Sequence, residues 1–211
     1  MPNRFFITGT DTNVGKTLVS ALLCAALDAI YWKPIQTGTR EGTDTATVTR
    51  LAELPCERTI PEIYRFAPPV SPHLAARRAG VRIELKKIRM PRIAAAENLI
   101  VEGAGGALVP INSSQLMTHL MKHLRLPILL VSRTSLGTIN HTLLSVAALR
   151  AARLDLRGVV MSGAPNAENR KAIERYGNVQ VIGTVPFLKK INRETLVQVF
   201  RKYFDREVFA A

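Results

Sequence analysis

Apolar residues fall along this chain in short blocks, and their spacing switches repeatedly between that of a strand and that of a helix. Arg4-Phe5-Phe6-Ile7-Thr8 is an apolar, β-prone run, and the Leu- and Ala-rich stretch that follows reads as a helix from about residue 16 to about residue 28. Ala29-Ile30-Tyr31-Trp32 predicts a second short strand, stopped by the proline and glycine of Lys33-Pro34-Ile35-Gln36-Thr37-Gly38; residues 46–54 predict a short helix. Residues 55–72 are proline-rich and irregular, longer than the about 12–15 residues an idle connector takes. Residues 74–96 alternate helical stretches with basic side chains and carry no site-like feature. Beyond them, strands at 97–101, 127–131, 156–161 and 179–182 alternate with helices at 114–124, up to 153, about 169–176 and about 192–204. Repeated strand, loop and helix predicts an α/β fold built on a doubly wound, mostly parallel sheet, with the 211 residues forming a single domain.

Composition narrows the class. Hydrophobic residues make up 47% and charged residues 21%, which excludes a disordered chain, and no apolar run nears the ~20 residues of a bilayer span. The chain opens directly into a strand, without a basic leader and apolar stretch, so a soluble, cytoplasmic protein is expected. Cys24 and Cys56 lack spaced partners of the zinc or CxxC kind and read as free thiols. Lys and Arg number 29 against 16 Asp and Glu, a balance of +13 that suits nucleic acid, an anionic membrane or small anionic substrates. The basic residues gather at 77–78, 82–92 and 189–202 without aromatic interleaving, so they read as solvated faces, and neither nucleic acid nor membrane is expected as a partner.

The chemistry centres on Gly9-Thr10-Asp11-Thr12-Asn13-Val14-Gly15-Lys16-Thr17, between the first strand and the first helix. In such a glycine loop, backbone N–H groups point at phosphate oxygens and the positive end of the helix favours the same anion. Lys16 is expected to reach the β- and γ-phosphates and the Thr17 hydroxyl to ligate Mg²⁺. The pattern departs from G-x-x-x-x-G-K-[ST] in one respect: Thr10 stands where glycine is usual, and Gly9 falls one residue early. A Gly-rich turn that merely caps a helix is the plainer alternative.

Other residues join this loop by their positions. Lys33 follows a strand at the sheet end where open α/β sheets bind ligands, so it is expected to face the same crevice, although an exposed loop lysine is also possible. Asp44 reads as a helix N-cap, as a carboxylate beside the nucleotide, or as both. Glu102 closes a buried strand in Val101-Glu102-Gly103-Ala104-Gly105-Gly106, and a buried carboxylate calls for a cation partner; the alternative is an incidental Glu in a Gly-rich turn. Leu136-Gly137-Thr138-Ile139-Asn140-His141 leads into a helix, so another helix N-terminus faces the ligand side. No chemistry is assigned to His73.

Together, these stretches and Ser71-Pro72-His73 resemble dethiobiotin synthetase, an ATP-dependent cyclo-ligase of biotin biosynthesis with a P-loop NTPase fold. The resemblance extends over nearly the whole chain. It implies 7,8-diaminopelargonate, CO2 and ATP as substrates, Mg²⁺ as cofactor, and a cytoplasmic homodimer with sites at the subunit interface. Under it, Thr17, Asp44 and Glu102 are the metal ligands, and Thr12, Asn13, Lys16 and Lys33 are the catalytic set. Nucleotide binding falls to Asn13, Val14, Gly15, Lys16, Thr17, Leu18, Glu102, Gly103, Ala104, Gly105, Ser162, Gly163, Pro186, Phe187 and Leu188. Lys33 and Thr37 meet the diamine or its carbamate, while Gly137, Thr138, Ile139 and Asn140 of the other subunit hold the distal carboxylate.

Two departures alter these expectations. Asn13 stands where many family members carry Glu, and Ser162-Gly163 stands where they carry an Asn that reads adenine, so base selectivity should relax. The competing function is a partitioning or cell-division P-loop ATPase acting on DNA or membrane. Such proteins resemble K-G-G-x-G-K-[ST], and Asp11 occupies the place of their first lysine. A GTP-binding switch is disfavoured because no Asn-Lys-x-Asp follows any strand.

Overall fold

The computed structural model describes residues 2–210. In chain order the elements are β1 (Arg4–Gly9), α1 (Lys16–Leu27), β2 (Ile30–Trp32), β3 (Ile35–Thr37), α2 (Asp44–Ala52), β4 (Thr59–Ile60), β5 (Tyr64–Phe66) and α3 (Pro72–Arg78). They continue with β6 (Leu99–Gly106), α4 (Met117–Leu124), β7 (Ile128–Arg133), α5 (Thr138–Ala151), β8 (Leu156–Ser162), α6 (Ala167–Gly177), β9 (Val181–Val185) and α7 (Arg193–Tyr203). A seven-stranded sheet in the order β4-β2-β6-β1-β7-β8-β9 is parallel throughout. The expected doubly wound α/β sheet is therefore observed.

Side chains on successive strand positions point to opposite faces, so a strand covered on both sides must be apolar at nearly every position. In β1, Phe6 joins the layer that holds Trp32, Leu99, Leu120 and Leu130, while Phe5 and Ile7 join the opposite layer with Leu22, Leu23, Val199 and Phe200. The sheet is thus the partition between two cores, with α1, α2 and α7 on one side and α4, α5 and α6 on the other. Among the described residues, no helix is long and apolar enough to cross a membrane.

Several expected boundaries shift. Pro34 redirects the chain rather than ending its pairing: its carbonyl accepts from the N–H groups of Ile63 and Tyr64 at 3.0 and 3.1 Å, and β3 pairs in parallel with β5. The proline-rich segment is therefore partly structured, because Pro lacks a donor but keeps its acceptor. Residues 103–106 belong to β6 rather than to a turn. The last strand, expected at 179–182, runs on through residues 183–185; Gly183 leaves room for the Phe204 ring, which would approach an added Cβ to 2.5 Å. Residues 114–116 stay outside α4 because the Asn112 side-chain oxygen accepts from the N–H groups of Ser114 and Gln115 at 3.0 and 2.9 Å, a competing turn. Beyond α3, residues 79–96 are irregular apart from one 3₁₀ turn at Leu85–Lys87, held down by buried Ile83, Leu85 and Ile88. Asp44 is not the cap of α2. Thr43 holds that position, its side chain accepting from the Ala46 N–H at 3.0 Å, and Asp44 is the first helical residue.

Candidate active site

The sheet order determines what meets at its carboxyl end. β1 lies between β6 and β7, with β2 on the far side of β6, so the glycine loop, Glu102 and Lys33 arrive side by side. The loop is anchored where the Thr10 N–H donates to the Val131 carbonyl at 2.9 Å. Two of its residues take left-handed conformations, Asn13 at φ 57° and Gly15 at φ 98°. A Cβ at Gly15 would also lie 2.6 Å from Ser162 Oγ, so both conformation and space call for glycine.

Lys16 is buried, and its Nζ donates to the Asp11 carbonyl at 2.8 Å. Burial lowers its pKa to about 8; nearby Lys33 pushes the same way, while Glu102, Asp44 and Asp11 oppose the shift. Thr17 Oγ1 lies 2.9 Å from Asp44 Oδ1 and 3.0 Å from Glu102 Oε1. A hydroxyl has one proton to donate, so only one of these oxygens receives it at a time. Lys33 Nζ completes the cluster, at 2.9 Å from Asp44 Oδ2, 3.0 Å from Glu102 Oε1 and 3.1 Å from the Gly103 carbonyl. Burial opposes its charge, but Glu102 and Asp44 outweigh that effect and raise its pKa. Burial would likewise raise Asp44, yet the Lys33 charge and hydrogen bonds from Lys33, Thr17 and Gln36 hold it below its ordinary value.

These groups line a cavity of about 680 Å³ together with Thr12, Asn13, Thr37, Ala104 and Gly105. The catalytic set expected from sequence therefore converges. Two carboxylates and a hydroxyl form a hard-oxygen donor set; among the described residues, no three His, Cys, Asp or Glu side chains gather to hold a metal.

Other expected positions lie apart. Gly137 adopts φ 89° at the start of α5, and Gly137 and Thr138 line a separate hollow of about 70 Å³ with Thr10, Asp11, Val14 and His141. Neither Ile139 nor Asn140 lines the main cavity, so within one chain this segment does not share a cavity with Lys33 and Thr37. Leu18 packs against the α1-side core rather than lining the cavity. Gly103 contributes its carbonyl to Lys33. Ser162 backs the glycine loop, Gly163 is buried against Thr134, and neither lines the main cavity; after β9, Pro186 and Leu188 are half-buried and Phe187 is exposed.

Two polar residues escaped the sequence reading. Tyr31 is fully buried and its hydroxyl donates to Glu102 Oε2 at 3.0 Å. Burial and then the Glu102 charge push its pKa well above the ordinary phenol value, so it is a protonated donor. Gln36 accepts from the Asp44 N–H at 3.0 Å through Oε1 and donates to the Thr37 carbonyl at 2.7 Å. A signal existed for Tyr31, because a tyrosine between Ile30 and Trp32 in a buried strand needs a partner for its hydroxyl.

Residues 3–195 match the family model described as an AAA domain. Among solved structures, a ParA family ATPase from Chlorobium tepidum TLS aligns over 95% of this chain and 93% of that one, with TM-score 0.56 and 12% identity. The MinC:MinD cell division protein complex of Aquifex aeolicus aligns over 93% and 86%, also with TM-score 0.56 and 12% identity. At that identity they establish a shared fold and nothing more. Sequence similarity is closer to ATP-dependent dethiobiotin synthetases. The protein of that name from Nitrobacter hamburgensis is 46% identical over 99% of this chain and 98% of its own length, and that from Rhodopseudomonas palustris is 44% identical over 100% of both. A third, from Brucella melitensis, is 43% identical over 100% of this chain and 98% of its own. With this identity over the whole length, the chain belongs to the ATP-dependent dethiobiotin synthetase family.

Proposed function

We propose that this protein, acting as one 211-residue unit, joins 7,8-diaminopelargonate and CO2 at the expense of ATP to give dethiobiotin, ADP and phosphate. The observation that carries this reading is the convergence of Lys16, Thr17, Lys33, Asp44 and Glu102 on one cavity, in a chain of this family. One substrate amine attacks CO2 and loses a proton, giving a carbamate. A carbamate oxygen attacks the γ-phosphorus and ADP leaves. The second amine attacks the carbonyl carbon, the bond from that carbon to the phosphate oxygen breaks, the amine gives up a proton to the departing phosphate or to solvent, and the ring closes.

The protein contributes position and charge. Asn13, Val14, Gly15 and Lys16 hold the phosphates through backbone N–H groups and the Lys16 ammonium. Thr12, Asn13 and Lys33 flank the carbamate, with Thr37 against the diamine. The donor set fits Mg²⁺: Thr17, Asp44 and Glu102 would hold it, and it would neutralise phosphate charge when bound. The base falls to Ser162, Gly163, Pro186, Phe187 and Leu188. Residues 137–140 do not line the main cavity, which supports a homodimer in which the partner's segment completes the substrate site. Free Cys24 and Cys56 suit a reducing cytoplasm.

The test is an assay of purified protein with the diamine, bicarbonate and Mg-ATP. Dethiobiotin formation is expected, with little ATP hydrolysis when the diamine is omitted. ATP hydrolysis stimulated by DNA or lipid vesicles, without cyclic product, would overturn the proposal in favour of the partitioning type.

A further inference from the structure

In β2 and β6, Tyr31 pairs with Ile100 and Trp32 with Val101. Glu102 therefore lies two residues beyond the partner of Tyr31 and on the same face of the sheet, the α1 face, where Tyr31 and Ile100 share a core. A diagonal pair of this kind lies within reach of long side chains, and here it delivers the Tyr31 hydroxyl to Glu102 Oε2 at 3.0 Å.

The two oxygens of Glu102 are thereby divided. Oε1 faces the cavity, 3.0 Å from both Thr17 Oγ1 and Lys33 Nζ. Oε2 points inward, and among the described residues its one hydrogen-bond donor is Tyr31. The terminal torsion of a glutamate is broad and holds no orientation by itself. Phe5, Leu22 and Cys24, in the same core layer as Tyr31, supply no strong donor.

We infer that Tyr31 is a positioning residue for the metal site: its hydroxyl locks the Glu102 carboxylate so that Oε1 is presented beside Thr17 before Mg²⁺ arrives. The inference rests on the Mg²⁺ site proposed above. Partners that orient a metal-ligating side chain typically matter by 10–100-fold in metal affinity or activity. Tyr31→Phe removes one oxygen from a closed core and leaves the ring in place.

The experiment measures binding of the β,γ-imido analogue of ATP by calorimetry across a series of Mg²⁺ concentrations, in wild type and in Tyr31→Phe. The variant should need about tenfold more Mg²⁺ for half-maximal enhancement of binding. Its affinity without Mg²⁺ should stay close to wild type, which a merely structural role would not produce, while its thermal unfolding midpoint falls because Glu102 Oε2 loses its donor. Tyr31→Phe combined with Glu102→Gln should need no more Mg²⁺ than Glu102→Gln alone, since both changes act through one carboxylate. A Mg²⁺ requirement in Tyr31→Phe within twofold of wild type overturns the inference alone. Binding that ignores Mg²⁺ in wild type overturns the metal site and the inference together. Should Tyr31→Phe fail to fold, 4-fluorophenylalanine at position 31 fills the space of the hydroxyl without donating, and a Mg²⁺ requirement within twofold of wild type there is equally decisive against it.

Discussion

Lys33 Nζ lies 3.0 Å from Glu102 Oε1, and both side chains are sealed from solvent, at 4% and 1% exposure. Breaking a buried ion pair by deleting one partner strands the other charge and costs about 3–5 kcal/mol. Lys33→Ala should therefore lower the unfolding free energy by roughly 3 kcal/mol. Mg²⁺ with the imido analogue should recover more stability in this variant than in wild type, because a cation then meets the stranded carboxylates. Thermal melts with and without these ligands check it. Turnover should fall while ATP affinity stays nearly intact, whereas Lys16→Ala should weaken ATP binding and abolish turnover; equal loss of ATP affinity in both would refute this division.

Lys16 makes nucleotide binding sensitive to pH. Its pKa in the free protein is about 8, against an ordinary 10.5, so the folded state releases the proton first. Between these values the unfolded chain holds more protons, and this lysine's contribution makes stability rise with pH; below about 8 the cost of a buried charge is present in full. Phosphates favour the ammonium, so binding should raise the pKa and take up a proton. Affinity for ATP should fall as pH climbs from 8 towards 10, and calorimetry in buffers of different ionisation enthalpy should record proton uptake near pH 9. Neither effect should persist in Lys16→Arg.

Gly15 offers a separable test of backbone and space. An alanine there meets a left-handed φ of 98° and the Ser162 hydroxyl 2.6 Å from its Cβ. The left-handed conformation alone costs about 1–2 kcal/mol for a residue with a side chain. Gly15→Ala should lose stability by at least that amount and bind nucleotide more than tenfold less tightly. Adding Ser162→Gly should restore only part of each loss, because it removes the contact and leaves the φ. Full restoration would show that space, not conformation, selects glycine.

Base preference should be slack. Ser162 is shorter than the Asn that the resemblance places at the adenine-reading position, and it backs Gly15 rather than lining the main cavity. A lost hydrogen bond to adenine is worth on the order of 1 kcal/mol, less than tenfold in affinity. GTP or CTP should therefore support turnover within about tenfold of ATP, measured as initial rates at subsaturating nucleotide. A preference for ATP above about a hundredfold would show that another part of the pocket, such as residues 186–188, reads the base.

What could be read from sequence alone was whatever neighbouring residues decide among themselves. The cores of β1, β7 and β8 are legible as unbroken apolar runs because a strand buried on both faces admits nothing else. The loop from Gly9 to Thr17 is legible because its strand, its turn and its helix are contiguous, and anion binding at a helix start is a local property. Even Lys33 and Glu102 could be marked, since each follows a strand at the sheet end where ligands sit. The tertiary structure alone decided which atoms meet. Pairing of Ile35–Thr37 with Tyr64–Phe66 depends on a carbonyl of Pro34 finding donors nearly thirty residues away. That Thr43 rather than Asp44 caps its helix frees Asp44 Oδ2 for Lys33, a matter of where one turn begins. The Tyr31 hydroxyl reaches Glu102 only because β2 pairs with β6 in one register; a slip of one residue would turn it to the other face of the sheet. Register and sheet order are long-range choices, made by the packing of two whole core layers, and no short window of sequence contains them.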